Sequence, residues 1–192
     1  MPSRIKRWFF DQMAAWCILF RQRDRALGYY AKMLELDPDD ALALASSAYQ
    51  LAQQGRKREA LAMLDRLLTV KPDDAEAHFN RGFLLQEMKD HEGAMSEFER
   101  AIALNPDHDR AYYGMALSLI STRRLEEAVA PLKKNTRLQP MSPYGWYQLG
   151  RVQHELGHLD ATQQVLDHLA TFEPDVARQL ERETGLKAAP LS

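Results

Sequence analysis

Prolines stand at positions 38, 72, 106, 140 and 174, a constant step of 34 residues. A fixed period of this size is the mark of a stacked helical array, in which each repeat buries its apolar face only against its neighbours. Between successive prolines the sequence holds two amphipathic stretches separated by a short polar turn. The stretch from Ala75 to His108 shows the plan most cleanly. The predicted repeats run over about 7–40, 41–74, 75–108, 109–142 and 143–176. A polar capping helix follows at about 175–184, with a loose tail at 185–192. Proline cannot continue a helix, and Asp40 is the expected cap of the helix after the first repeat. Ser142 is the expected cap before Pro143. Pro131 falls inside a second helix, where a kink is expected.

Aligned at this period, the repeats agree column by column. One column reads Phe10, Leu44, His78, Tyr112, Trp146, large in most units. Two columns are small: Ala14, Ala48, Gly82, Ala116, Gly150, and Ala26, Ala60, Ala94, Ala128, Thr162. A fourth is bulky: Tyr30, Leu64, Phe98, Leu132, Leu166. Small residues mark close helix approach and bulky ones the core. This pattern, held over five units without an insertion, resembles the tetratricopeptide repeat family. The resemblance implies an all-α fold, a right-handed superhelical solenoid of five helix-turn-helix pairs plus a C-terminal capping helix. It also implies a non-enzymatic interaction module, an adaptor, scaffold or chaperone-like assembly factor. Asn135 and Thr162 depart from the pattern, where smaller or apolar residues are usual.

In the family the first helices of successive units line a concave groove for a peptide or helix of a partner. Carried over by register, that groove takes Tyr49, Phe79, Asn80 and Phe83 from the second and third units. From the fourth and fifth it takes Arg110, Tyr113, Leu117, Ile120, Tyr144, Tyr147 and Arg151. Aromatic side chains give large contact area at small entropic cost, so this surface is expected to carry binding. A subset of the family grips a terminal carboxylate with a lysine, asparagines and an arginine. Here Asn80 and Arg110 fit, but Ala45 and Tyr49 occupy the lysine and first asparagine positions, so that clamp is not expected.

The first helix is apolar nearly all round. The column that faces a preceding repeat is small in the later units (Ala43, Ala77, Ala111, Gly145), yet it holds Phe9 in the first. Ile5, Trp16 and Phe20 extend the same side. These four residues are expected to form an exposed contact face. It suits a second copy, a partner protein, or a membrane surface aided by Arg4, Lys6 and Arg7. The alternative function is therefore a membrane-peripheral or self-associating organiser.

His154-Glu155-Leu156-Gly157-His158 matches the H-E-x-x-H zinc-protease signature, which needs both histidines on one continuous helix. Gly157 falls in the inner-turn column with Gly55, so His158 is expected beyond the helix end and no metal site is expected. No phosphate-cradling glycine motif or nucleophile elbow occurs, and nothing calls for a cofactor. Cys17 falls in a leucine column and reads as core. A net charge of −2 gives no reason to expect a nucleic-acid partner. A lone cysteine fits a reducing compartment. No stretch reaches the ~20 apolar residues that span a bilayer. The expected location is cytoplasmic, with peripheral membrane contact compatible.

Overall fold

The structure is a computed structural model that describes residues 3–189. The described residues form eleven α-helices and no strands. They are α1 (Ser3–Leu19), α2 (Arg23–Leu36), α3 (Ala41–Gln53), α4 (Lys57–Val70), α5 (Ala75–Glu87), α6 (His91–Leu104), α7 (Asp109–Ser121), α8 (Leu125–Leu138), α9 (Pro143–Glu155), α10 (Leu159–Phe172) and α11 (Pro174–Thr184). They fall into two compact units, one ending at Leu84 and the other beginning at Leu85.

The inner turn of each repeat is built alike. Arg21, Gly55, Lys89, Arg123 and Gly157, each 34 residues from the next, have φ of 58°, 75°, 68°, 63° and 77°. In each turn the following N–H reaches back to a carbonyl five residues earlier: Gln22 to Cys17, Arg56 to Leu51, Asp90 to Leu85, Arg124 to Leu119 and His158 to Gln153. This is the Schellman closure, which satisfies carbonyls left over at a helix end. Glycine supplies the left-handed residue freely. Arg21, Lys89 and Arg123 adopt it at a local cost of about 1–2 kcal/mol each.

In the first unit α1 packs with α2, α2 lies on α3, and α3 packs with α4. One apolar cluster holds Ala14, Cys17, Ala26, Tyr30 and Met33; a second holds Leu44, Leu51, Leu64, Leu67 and Leu84. Cys17 is a buried core thiol, as its column implied. In the second unit α6 lies on α7, α8 on α9, and α7–α8 and α9–α10 form pairs. The last helix, α11, covers both α9 and α10. The core here is centred on Leu119, Leu132, Leu149, Leu166, Leu169 and Leu180. The small column has its predicted role, since Ala43, Ala77, Ala111 and Gly145 are all buried.

The two departures are satisfied rather than disruptive. The Asn135 amide donates to the Asp109 carbonyl at 2.9 Å, and the Thr162 hydroxyl donates to the His158 carbonyl at 3.0 Å. A buried polar group with a partner costs little. The large column hides a polar device. Tyr112 Oη and Trp146 Nε1 donate to the carbonyls of Pro106 and Pro140 at 3.3 and 2.8 Å, and His78 Nε2 lies 2.9 Å from the Pro72 carbonyl. Each ties a first helix to the proline turn before it.

Pro131 lies inside α8, within the second helix of its repeat as its position implied. Two expectations need correction. Ser142 precedes α9, but its side chain makes no capping hydrogen bond. The expected tail is docked as far as it is described. The backbone N–H groups of Ala188 and Ala189 donate to Glu181 and Asp167, both at 2.8 Å, and Leu186 and Ala188 pack against the core. Residues 190–192 of that tail lie outside the described residues.

Asp40 caps α3 as expected, accepting the Leu42 and Ala43 N–H groups at 3.1 Å each. It is also buried against the Arg7 guanidinium of α1, whose Nη2 donates at 3.1 Å. Burial opposes ionisation of this carboxyl. The Arg7 bond and the two backbone N–H groups outweigh that, and its pKa lies below the usual carboxylate range. A depressed carboxyl stabilises the fold fully above its unfolded pKa of about 3.9 and loses that contribution as pH falls through its folded value. Asp40→Ala is expected to cost about 2 kcal/mol at pH 7 by removing the cap and the ion-pair partner. Denaturant melts from pH 7 to pH 2.5 check this: the gap between the original chain and the variant should shrink below about pH 4.

Candidate functional site

The first unit presents a cleft of about 190 Å³ between α3 and α5. Ala45, Ala48 and Ala52 of α3 line it together with Leu64 and Leu67 of α4 and Ala77 and Leu84 of α5, and Asp74 and Glu76 add carboxylates. Tyr49 and Phe83 rise at its sides, 61% and 48% exposed, and Asn80 lines it with a polar edge. Two large aromatics are thus held beside a largely apolar depression by a packed scaffold, and both keep much of their surface toward solvent.

Phe79, read from sequence as part of this surface, is only 8% exposed. Its ring stacks on Phe83 at 6.5 Å between centroids. It supports Phe83 and offers a partner little surface of its own, because one helical step turns it inward.

In the second unit the candidate residues differ in availability. Tyr144 on α9 is 70% exposed. Tyr113 and Ile120 on α7 are half-buried against the core, and Leu117 is half-buried. Burial raises the Tyr113 phenol above its ordinary pKa. Arg110 is exposed at the start of α7. Tyr147 and Arg151 are engaged within the chain. The Tyr147 hydroxyl donates to Glu183 Oε1 at 2.6 Å and accepts from Gln179 Nε2 at 2.7 Å. Burial first, and then the Glu183 carboxylate, raise the pKa of this phenol. Arg151 pairs with Glu183 at 3.4 Å and lies over the Tyr147 ring. The last helix therefore takes the end of this surface for itself. A polar capping helix was legible in the sequence, but its hold on these two side chains was not.

The outer side of α1 is exposed as expected. Trp16 and Phe20 are 57% and 63% exposed with rings stacked 5.9 Å apart, and Ile5 and Phe9 are exposed too. Arg7 does not join them, because it turns away to Asp40.

The histidine pair is divided by a turn. The helix carrying His154 ends at Glu155, and His158 precedes α10 with its Nδ1 2.7 Å from Gln153 Oε1. Glu155 pairs with Arg123 at 2.6 Å. The continuous helix that zinc-protease chemistry needs is not built here. No helix among the described residues is long and apolar enough to cross a membrane.

Residues 49–117 match the tetratricopeptide repeat family model. No curated protein matches the sequence. Among solved structures, residues 41 to the end of MamA from Desulfovibrio magneticus RS-1 superpose with a TM-score of 0.77 at 22% identity, over 94% of this chain and 98% of that one. YrrB, described as a tetratricopeptide repeat protein with an unusual peptide-binding site, superposes with a TM-score of 0.76 at 21% identity over 90% of each chain. PilF of Pseudomonas aeruginosa does so at 0.76 and 19%, over 96% of this chain and 95% of that one. The 34-residue period, the shared inner turn, the family match over residues 49–117 and these superpositions agree on the fold of a tetratricopeptide repeat array.

Proposed function

We propose that this protein is a non-enzymatic adaptor or assembly factor that holds a helix or extended segment of a partner protein on its first-helix surfaces. The α3–α5 cleft carries the reading. A largely apolar cleft flanked by two half-exposed aromatics is what an amphipathic segment needs for one anchoring side chain. Tyr49 and Phe83 are the anchors and Asn80 is the polar contact beside them. In the second unit Tyr144 is the most available aromatic, with Tyr113, Leu117 and Ile120 giving apolar backing and Arg110 a charged contact. The peptide-binding site in the description of YrrB supports the same use of a similar scaffold.

The test is affinity capture from the source cell with the original chain and a Tyr49→Ser, Phe83→Ser double variant. Both side chains are substantially exposed, so the melting temperature should move by only a few degrees, about 1 kcal/mol or less. Capture of the partner should be lost. Undiminished capture by a folded double variant would place binding elsewhere.

A further inference from the structure

The outer face of α1 is built unlike the rest of the molecule. At about 100° per residue, Trp8, Leu19, Ile5, Trp16, Phe9 and Phe20 fall within one stripe about 120° wide. Gln12 is the single polar residue in it. All six apolar side chains are exposed. Arg4 and Lys6 project on either side of the stripe near its start, and Arg21 and Arg25 lie beyond its end. Beside the stripe, Met13, Trp16, Phe20 and Tyr29 line an open cleft of about 470 Å³, with Arg25 and Lys32 in its wall.

The charge is one-sided. Residues 3–32 contain seven lysines and arginines against two aspartates, although the whole chain is net −2. Neither aspartate lies within the stripe: Asp11 falls about 60° outside its edge, on the Arg4 flank, and Asp24 accepts from Gln54 Nε2 at 3.0 Å.

We propose that this face docks on an anionic lipid surface, with α1 lying in the plane of the interface. Tryptophan, phenylalanine and leucine flanked by lysine and arginine are what an interfacial helix uses: rings enter the headgroup layer, and cations on long stems meet phosphates. Charge complementarity selects this occupant over a second copy. Two α1 faces brought together antiparallel set Arg4 and Lys6 against Arg21 and Arg25, and brought together parallel they set like ends together. Both arrangements oppose cations with no carboxylate on the stripe to answer them. Continuation of the repeat stack is also disfavoured, because Phe9 fills the column where close stacking uses alanine or glycine.

The test is co-sedimentation of the full chain with vesicles of phosphatidylcholine mixed with phosphatidylserine, against vesicles of phosphatidylcholine alone. Tryptophan emission is followed in parallel, since Trp8 and Trp16 both lie on the stripe. The mixed vesicles should bind the chain, shift its emission to shorter wavelength, and release it as salt is raised. Phe9→Glu with Trp16→Glu should weaken binding at least ~10-fold, and Arg4→Glu with Lys6→Glu should do the same. Both variants should melt as the original does, since these side chains are exposed. Absence of binding to the mixed vesicles, or equal binding to both compositions, would overturn the proposal. A lipid-free dimer dispersed by the aromatic pair of substitutions would overturn it too, assigning the face to a second copy.

Discussion

Replacing Phe98 by alanine should destabilise the second unit by about 3–5 kcal/mol, as truncation of a fully buried aromatic does. Phe98 has no exposed surface, and its ring sits directly against Gly114 of the next helix. A Cβ on Gly114 would come within 2.6 Å of that ring. The two positions are therefore halves of one contact, large on α6 and absent on α7. Gly114→Ala alone should cost about 1–3 kcal/mol through overpacking. In the Phe98→Ala background the added methyl has room, and its cost should fall sharply. A double-mutant cycle in denaturant reads this coupling directly. Simple additivity would mean that the α6–α7 contact is not packed as described.

Leu180→Ala should have the next largest effect, about 2–5 kcal/mol. Leu180 is fully buried, and a Cβ on Gly150 would approach its methyl at 2.6 Å. It is the residue by which α11 closes the core of α9 and α10. In a repeat array the terminal cap protects an apolar face that would otherwise meet water. Because arrays can lose cooperativity, the sharper readout is hydrogen exchange resolved along the chain. Protection should fall first in α9, α10 and α11, with α3 and α4 little changed. A uniform loss over the whole chain would contradict this local role.

The fold was legible because a repeat states each packing rule five times. A single alanine says little; Ala43, Ala77, Ala111 and Gly145 in one column state that two helices must touch. What escaped was whatever the period does not repeat. Gly55 and Gly157 marked the inner turns, but Arg21, Lys89 and Arg123 adopt the same left-handed conformation, since the turn's hydrogen bonds override residue preference. Asp40 was readable as a cap from its place before α3. Its bond to Arg7 was not, because charge pairing one repeat apart leaves no local signal. Register alone put Phe79 and Phe83 on one surface. The structure divides them, burying Phe79 beneath its exposed neighbour. Register placed Tyr147 and Arg151 on the binding surface but was silent on Glu183 and Gln179, which come from outside the repeats.

The central claim, that a partner segment lies in the α3–α5 cleft, is tested most directly by site-specific photocrosslinking in the source cell. A photoreactive residue is placed at Tyr49 and, as a control, at Ala62, an exposed position on α4 of the same unit. A discrete cross-linked protein should form from position 49, should vanish when Phe83→Ser is added, and should be absent from position 62. Equal cross-linking from both positions, or none from 49 and a discrete product from 62, would contradict the account.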